Sequence, residues 1–261
     1  MTNTLKKTAI AAAKSAGALL KKNIGNAHRI EFKGVIDIVT EMDRKAEDLI
    51  IKIIKNKFPK HGILTEESLE QKSDSEYRWI IDPLDGTTNY SHGFPVFCVS
   101  IALEKSGEGI ILGVVYNPML NELFTAEKNK GAYLNNKKIK VSDIKELTKS
   151  LLATGFPYDI RTSRDNNIAH FTNFAVRAQA IRRAGSAALD MCYVACGRID
   201  GFWEMKLKPW DTAAAWLIIK EAGGMVTGFN GKEFSFYSSE TLASNGLIHD
   251  EMLKTLQEVQ G

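Results

Sequence analysis

The residues best suited to chemistry lie in one segment, Trp79 to Asn89, which reads WIIDPLDGTTN. An apolar run ends directly in Asp82, and Asp85 follows three residues later with two threonines behind it. Because proline cannot continue a central β-ladder, we expect the strand to end at Pro83 and both acids to lie on a tight turn. Oxygen donors crowded at one point suit Mg²⁺, Mn²⁺ or Ca²⁺. The segment therefore predicts either a plain turn or a site for a hard divalent cation.

Three further acids could complete such a site, although each also has an ordinary structural interpretation. Asp211 stands where a helix should begin, and the helix dipole favours an acid there as a cap. Glu66 lies in a polar segment that follows the apolar pair Ile63-Leu64. Asp43 follows Thr40 at the spacing of a capping box. Taken singly, these acids predict caps and a polar loop.

Gathered in one place, the acids would require cations. Glu66, Asp82, Asp85 and Asp211 together bring a charge of about −4, and two carboxylates 4 Å apart repel by roughly 4 kcal/mol at an effective dielectric constant of 20. Two Mg²⁺ ions neutralise such a cluster, and a phosphate dianion then invites a third, weakly held ion. We expect metal affinity to be weak alone and to improve with substrate, because Mg²⁺ is often held by few carboxylates together with substrate phosphate.

Other common chemistries lack their signatures in this chain. The sequence contains no G-x-S-x-G, H-E-x-x-H, G-x-x-x-x-G-K-[ST] or G-x-G-x-x-G motif. The five histidines are scattered without ligand spacing, which disfavours zinc. The three cysteines form no C-x-x-C pair, and an odd count indicates a reducing compartment, so the cytoplasm is the expected location. The cysteines are expected to be small apolar core residues.

Size and composition indicate an ordinary folded protein. The chain has 261 residues, of which 44% are hydrophobic and 25% charged, so we expect one large domain or two closely packed halves. A net charge of +3 is too small to indicate nucleic acid, and no apolar run is long enough to span a bilayer. Lys14 interrupts an alanine-rich N-terminal stretch, which predicts a surface helix and not a signal peptide.

The first half, residues 1–145, is predicted to hold two helices followed by strands without intervening helices, hence an antiparallel sheet. The second helix should bury a stripe at helical spacing; its members are Ala46, Leu49, Ile50, Ile53 and Ile54. The predicted strands are residues 79–81, 96–103, 110–116, 123–125, 132–134 and 138–141, the last two flanking a hairpin turn at Asn135-Asn136.

The second half, residues 146–261, alternates strands with helices and is predicted to be α/β. The predicted strands are residues 151–153, 180–182, 202–204, 225–226 and 242–243. The predicted helices are residues 163–176, 185–196, 212–222 and a final C-terminal helix. The polar segment Ser142 to Ser150 marks the expected boundary between the halves.

Several motifs in register resemble those of the inositol monophosphatase family, the Mg²⁺-dependent, lithium-sensitive phosphatases. The matching segments are Asp82 to Asn89, Trp210 to Ala215 with Glu221 to Gly224, Glu66 to Ser68 and Thr40 to Asp43, while Arg183 to Ala187 and Phe202 to Glu204 look most like the bacterial members. The resemblance implies a layered αβαβα sandwich, which is the inositol monophosphatase/sugar phosphatase fold, and a homodimer.

The resemblance also implies a role for each site residue. The first Mg²⁺ would be held by Glu66, Asp82 and the Leu84 carbonyl, and the second by Asp82, Asp85 and Asp211, with Mn²⁺ as a possible substitute. Thr87 and Asp43, alongside Glu66, would orient or activate the attacking water. The phosphate would meet Gly86 and Thr87, and the polyol would meet Gly185, Ser186, Ala187 and Glu204, with Asp85 and Asp211 also reaching the substrate. Lys33 lies where the family carries a lysine on a mobile loop, and it is assigned no role.

The implied function is hydrolysis of inositol monophosphate by two-metal activation of water. Relatives in the same family act on fructose 1,6-bisphosphate, histidinol phosphate or 3′-phosphoadenosine nucleotides, and the metal ligands do not discriminate among these substrates. Glu204 and the turn at Gly185 favour a small polyol or sugar over a nucleotide, because hydroxyls need acceptors. The alternative of another class is a partner role in transcription complexes, as in some bacterial relatives, through the basic hairpin Lys128 to Lys140. A plain solvated hairpin explains the same lysines.

Overall fold

Two helices open the chain and pack against each other on one face of a sheet. The computed structural model describes residues 2–26, 30–32, 34 and 37–258, so Lys33 lies outside the described residues. The first elements are α1 (Thr2–Asn23), β1 (Ile30–Phe32), β2 (Ile38–Thr40) and α2 (Glu41–Lys57), and the two short strands pair antiparallel. No helix in the described ranges has the length and apolarity required to traverse a bilayer.

The buried face of α2 differs from the predicted apolar stripe, because it includes two acids. Leu49 and Ile53 are only half-buried, whereas Asp43 and Glu47 are buried together with Ala46. Thr40 caps the helix as predicted: the Met42 amide donates to its hydroxyl, and Asp43 completes the capping box. The face that packs on the sheet therefore carries carboxylates as well as apolar side chains.

A seven-stranded sheet follows, and it is antiparallel except at one edge. Its strands, with one short helix between the second and third, are β3 (Gly62–Thr65), β4 (Tyr77–Asp85), α3 (Thr87–Ser91), β5 (Cys98–Lys105), β6 (Gly109–Asn117), β7 (Glu122–Glu127), β8 (Ala132–Leu134) and β9 (Lys137–Lys138). The spatial order is the chain order, and only β3 and β4 are parallel. The predicted antiparallel sheet is thus confirmed for all other neighbours.

The prediction that the strand ends at Pro83 is wrong. β4 continues to Asp85, and its register against β5 shifts between the pairs Asp82–Ser100 and Asp85–Cys98. A bulge removes residues from the ladder, so the missing amide hydrogen of proline breaks no hydrogen bond there. The two acids consequently lie on a bulged strand end and not on a free turn.

The second sheet has five strands and mixed pairing. After a 3₁₀ turn at Leu147–Lys149 come β10 (Leu151–Thr154), α4 (Ile168–Ala175), β11 (Ala180–Arg182), α5 (Ala187–Ala195), β12 (Gly201–Met205), α6 (Pro209–Glu221), β13 (Met225–Thr227), β14 (Glu240–Ser244) and α7 (His249–Gln257). The strand order is β11-β10-β12-β14-β13, with β10 parallel to both of its neighbours. The helix predicted from residue 163 begins only at Ile168.

These elements form the five layers that the resemblance implied. The helices α1 and α2 cover the outer face of the larger sheet, α5 and α6 lie between the sheets, and α4 with α7 cover the other face of the smaller sheet. The αβαβα sandwich is confirmed. The division into halves at residues 145 and 146 stays a prediction, because α6 packs against β5 and β6 of the first half as well as against β13.

A buried carboxylate on α2 fixes the segment that follows β3. Glu47 is 2% exposed and accepts hydrogen bonds from the Thr65 hydroxyl at 2.6 Å, the Glu67 amide at 3.0 Å and the Ser68 hydroxyl. Three donors on one carboxylate satisfy its charge in a place that water hardly reaches. The conformation of the segment that carries Glu66 therefore depends on Glu47.

We expect Glu47→Gln to lower the free energy of unfolding by about 2 kcal/mol, since hydrogen bonds to a charged acceptor contribute roughly 1.5–3 kcal/mol each. Urea unfolding measures the change. Asp48→Asn is the matched control, because Asp48 is the next residue on the helix and is exposed. Equal stability of the two variants would show that Glu47 does not hold the segment.

Candidate active site

The bulge in β4 presents two aspartates and a main-chain carbonyl at one strand end. Asp82 is 2% exposed, and one of its oxygens, Oδ1, accepts a hydrogen bond from the Leu84 amide at 2.9 Å. This short contact across Pro83 keeps the bulge compact. One short stretch of backbone thus carries Asp82, the Leu84 carbonyl and Asp85, which are predicted to bind metal ions together.

Gly86 turns the chain sharply after Asp85. Its φ angle is +104°, and a Cβ atom there would lie 2.9 Å from the Val96 carbonyl oxygen and 3.3 Å from that of Gly185. Only glycine meets both the conformation and the close approach. Gly86 is the N-cap of α3 and offers no side-chain acceptor to the first amides of that helix, which are the groups predicted to meet phosphate.

Asp85 is fixed by residues from the start of α5. Its Oδ2 accepts hydrogen bonds from the Ser186 hydroxyl at 2.6 Å and the Ala188 amide at 2.8 Å, and the Cys98 thiol lies 3.6 Å away. Ser186 was predicted to line the polyol pocket, and this prediction stays untested. In the structure its hydroxyl is buried and donates to Asp85.

Thr87 and Asp43 meet directly, although 44 positions separate them in the chain. The Thr87 hydroxyl donates to Asp43 Oδ1 at 2.8 Å and also lies 3.1 Å from the Leu84 carbonyl oxygen. The Thr40 amide and hydroxyl donate to Asp43 Oδ2 at 2.8 and 2.6 Å. Burial raises the pKa of Asp43, while these hydrogen bonds oppose the rise. Asp43 therefore caps α2 and holds Thr87 at the same time.

Asp211 reaches the same region from the first turn of α6. Its Oδ2 accepts a hydrogen bond from the Lys208 amide at 2.6 Å, so Asp211 caps the helix from its third position, because α6 begins at Pro209 and not at Thr212 as predicted. Burial raises the pKa of Asp211 to about 8, with the charges of Asp85 and Glu204 adding to the rise. An aspartate that is only a cap at a solvated helix end has no such neighbours.

The four predicted acidic ligands act on one another electrostatically. Burial raises the pKa of Asp82 well above its ordinary value, and the charges of Glu66, Asp85 and Asp211 raise it further. Burial also raises the pKa of Asp85 against the hydrogen bonds that it accepts. Three segments distant in sequence thus bring their carboxylates within electrostatic range of one another at Asp82.

The chemistry of the donor set fits hard divalent cations, because each aspartate keeps an oxygen atom free of donors from the part of the protein that the structure describes. Asp82, Asp85 and Asp211 each accept hydrogen bonds through one oxygen only, counting donors from the described ranges. Their other oxygens remain for a ligand, and oxygen is what Mg²⁺ prefers. Within the described ranges, no three histidine, cysteine, aspartate or glutamate side chains already form a ready-made ion cage. The carboxylates influence one another's pKa values without lying at coordination distance from one common point.

Glu204 and the turn at Gly185 flank the acids on the side predicted to bind the polyol. The Asn89 side-chain amide ties this turn to the loop after α3, donating to the carbonyl oxygens of Val96 at 2.7 Å, Ala184 at 2.8 Å and Gly185 at 3.2 Å. Burial raises the pKa of Glu204 to about 8, with negative neighbours adding to the rise and Arg183 opposing it. Ala187 begins α5 beside this turn.

Sequence reasoning missed several residues that shape the site. Asn89 and Glu47 are supports, and Glu47 was detectable as a charge one turn after Asp43 on a face that should be apolar. Tyr158 has a side chain that is more than half exposed, yet burial of its hydroxyl and the charges of Asp37, Glu66, Asp211 and Asp85 raise its pKa. Nothing in the local sequence around Tyr158 indicates this position.

Comparisons of sequence and of fold with known proteins indicate the same family. The model of the Inositol monophosphatase family matches residues 1–261. An inositol-1-monophosphatase of Synechocystis sp. is 46% identical over 244 residues, which are 93% of this chain and 85% of that protein. A Nus factor SuhB of Vibrio cholerae is 45% identical over 240 residues, 91% of this chain and 90% of that protein.

A solved structure of an inositol monophosphatase from Anabaena (Nostoc) superposes with a TM-score of 0.90 at 43% sequence identity, covering 99% of this chain and 97% of the other. The family match over the whole length, the two relatives and the shared architecture agree. The chain belongs to the inositol monophosphatase family of phosphatase enzymes.

Proposed function

We propose that this enzyme hydrolyses the phosphate monoester of a small polyol, with inositol monophosphate as the first substrate to test. The observation that carries the proposal is the hydrogen-bonded pair Thr87 and Asp43 beside buried Asp82, whose pKa is raised by burial and by the charges of Glu66, Asp85 and Asp211. A buried cluster of acids is unfavourable by itself and becomes favourable when divalent cations bind it.

Two Mg²⁺ ions would be held by the predicted ligands, the first by Glu66, Asp82 and the Leu84 carbonyl and the second by Asp82, Asp85 and Asp211. Bound there, the ions supply charge neutralisation for phosphate and acidity for a water molecule. The proposal also includes a third ion, substitution by Mn²⁺, inhibition by lithium and a homodimer. These features rest on the resemblance to the family alone.

The attacking water is oriented by Thr87. Because the Thr87 hydroxyl donates its hydrogen to Asp43 Oδ1, its oxygen is left as an acceptor for a water proton. As the water attacks phosphorus and the ester P–O bond breaks, the water proton passes to Thr87 Oγ1 and the threonine proton passes to Asp43. The polyol leaves as an alkoxide that takes a proton from solvent. The raised pKa of Asp43 suits it to receive that proton. Glu66 assists as a second acceptor for the same water.

The polyol side of the site is formed by Glu204 and the turn at Gly185. Carboxylates accept hydrogen bonds from hydroxyls, and polyols and sugars supply many. Fructose 1,6-bisphosphate remains the alternative substrate, because Arg183 lies close enough to Glu204 to lower its pKa and is positively charged. A substrate panel decides between the two.

A partner role in transcription complexes is the second candidate, supported by the similarity to a protein named Nus factor SuhB. The hairpin of β8 and β9 carries exposed Lys137 and Lys138, whereas Lys130 is paired with Glu127. The variant Asp82→Asn separates the two roles, because it should abolish the phosphatase reaction and leave the surface of the protein unchanged. If cells that carry this variant behave like wild-type cells, the cellular function is the partner role.

We expect Mg²⁺-dependent phosphate release from myo-inositol 1-phosphate, abolished by EDTA. Asp82→Asn should lower kcat by roughly a hundredfold or more, because Asp82 is proposed to bridge both ions. The measurement is the rate of phosphate release, compared with release from fructose 1,6-bisphosphate. The matched control is Asp48→Asn, an exposed aspartate on α2 that should keep full activity.

Phosphate release that persists at full rate in EDTA, or in Asp82→Asn, would contradict the proposed mechanism. Faster turnover of the bisphosphate than of the inositol ester would contradict the proposed substrate and leave the metal mechanism in place.

The metal-free protein should become less stable as pH rises from about 4 to about 8. Asp211 has its pKa raised to about 8, so the folded protein holds a proton that the unfolded chain releases. An acid with a raised pKa stabilises the fold at low pH, and this contribution is lost as pH rises through the raised value. Mg²⁺ replaces such protons, so its stabilising effect should grow with pH.

Thermal unfolding with and without saturating Mg²⁺ tests this dependence. We expect a rise in Tm of roughly 5 °C at about pH 8 and a much smaller one at about pH 5. Asp211→Asn should reduce the Mg²⁺-induced rise, whereas Asp48→Asn should not. An equal rise at both pH values would show that the ions do not replace protons on these acids.

A further inference from the structure

Gly155 is a buried glycine to which the mechanism assigns no role. It directly follows β10, whose last residue, Thr154, pairs in register with Trp203 of β12, so Gly155 lies beside Glu204. A Cβ atom on residue 155 would lie well inside 3.0 Å of both carboxylate oxygens of Glu204, a separation that real Cβ atoms do not show. The Glu204 carboxylate therefore occupies the space that a side chain at position 155 would fill.

The close approach of Glu204 is what requires glycine at this position, because the backbone does not. The φ angle of Gly155 lies outside the left-handed region, in contrast to those of Gly86 and Gly185. The three atoms nearest to an added Cβ atom all belong to the Glu204 carboxylate. An alanine at position 155 thus meets no backbone strain, and the group that it displaces is this carboxylate.

The alternation of side chains along β12 turns Glu204 toward the face of the sheet on which the candidate site lies. Phe202 packs in the core between the sheets, together with α5 and α6, whereas Trp203 packs in the core on the other face. The first turn of α6 carries Asp211, and α5 begins just after the turn at Gly185. Glu204 is partly exposed, while the other residues of β12 are buried. A ligand at these helix starts therefore meets Glu204.

Asn167 holds Gly155 in place through a buried side-chain amide. Asn167 is 2% exposed, and its Nδ2 donates to the Gly155 carbonyl oxygen at 2.6 Å and to the Thr154 hydroxyl at 2.9 Å. Its Oδ1 accepts a hydrogen bond from the Trp203 indole at 2.8 Å. The Thr154 hydroxyl in turn donates to the Trp203 carbonyl oxygen at 2.5 Å. One amide thus joins Gly155 to the residue that precedes Glu204.

We propose that Gly155 is a specificity-determining residue, because the space it leaves places the Glu204 carboxylate where a polyol hydroxyl can donate a hydrogen bond to it. The inference rests on the proposed function, in which Glu204 lies on the polyol side of the site. Asn167 is the positioning residue that fixes Gly155 against β12. A misplacement of about 1 Å is enough to lose much of the benefit of such an acceptor. A phosphate ester without hydroxyls does not depend on it.

The first test compares Gly155→Ala with wild type on two monoesters, myo-inositol 1-phosphate and phenyl phosphate. We expect kcat/KM for the inositol ester to fall about tenfold, mainly through a higher KM, because a displaced carboxylate leaves a substrate hydroxyl without its acceptor. The phenyl group offers no hydroxyl, so kcat/KM for phenyl phosphate should change less than about twofold. An equal fall for both esters, or no change for the inositol ester, would overturn the inference.

A double-mutant cycle determines whether Gly155 acts through Glu204. In a Glu204→Ala background the group that the added methyl would displace is gone. Gly155→Ala should then lower kcat/KM for the inositol ester no further, so the two losses should not add. Additive losses would show that the methyl group disturbs the site by another route, which would overturn the inference.

Gly62→Ala is the matched control for adding a methyl group. Gly62 is also buried, has a φ angle outside the left-handed region, and lies in the other sheet with the nearest atom 3.5 Å from an added Cβ. This variant should keep the kinetics of wild type on both esters. Gly155→Ala should keep Tm within about 3 °C of wild type, because the end of a flexible side chain gives way. A larger fall in Tm with equal losses on both esters would show a packing role instead.

Calorimetric titration with myo-inositol 1-phosphate in the presence of Ca²⁺ separates this inference from the proposed reaction. Binding that weakens about tenfold in Gly155→Ala, without turnover in wild type, would support the role of Gly155 and refute the reaction. Turnover in wild type, with binding and kinetics that do not change in the variant, would support the reaction and refute the role of Gly155. Absence of both binding and turnover in wild type would refute both.

Discussion

Repulsion among buried carboxylates is the constraint on which this structure depends. Asp82 is almost fully enclosed, and Glu66, Asp85 and Asp211 all raise its pKa. Such an arrangement is unfavourable in the absence of cations, so the rest of the fold must hold the acids in place. The five-layer sandwich does so by bringing together strand and helix ends from both sheets.

Each aspartate of the cluster is held through one oxygen. The Leu84 amide binds Asp82, the Lys208 amide binds Asp211, and the start of α5 binds Asp85. Backbone amides are rigid donors, so they fix the direction in which the other oxygen points. A similar arrangement holds the pair that is proposed to orient water, where α2 fixes Asp43 through its capping box while Thr87 approaches from α3.

The sequence predicts the layers and most elements because apolar periodicity and turn residues are local signals. It also predicts the family, since the motifs are contiguous and match it, and the acids assigned to the site remain a prediction. The bulge at Pro83 could not be predicted, because proline reads as a strand end unless the register of the neighbouring strand is known. The supports Asn89 and Glu47 are equally hidden, since their importance arises from contacts with residues distant in the chain.

Anomalous scattering from crystals of this protein grown with Mn²⁺ and phosphate would locate the ions directly. We expect at least two Mn²⁺ peaks about 3.5–4 Å apart, with Asp82 bridging them and Glu66, Asp85 and Asp211 completing their coordination. Full occupancy of the crystals by phosphate without any Mn²⁺ peak at these carboxylates would show that the acids do not form a metal site, and ions that do not share Asp82 would show that it is not a bridge.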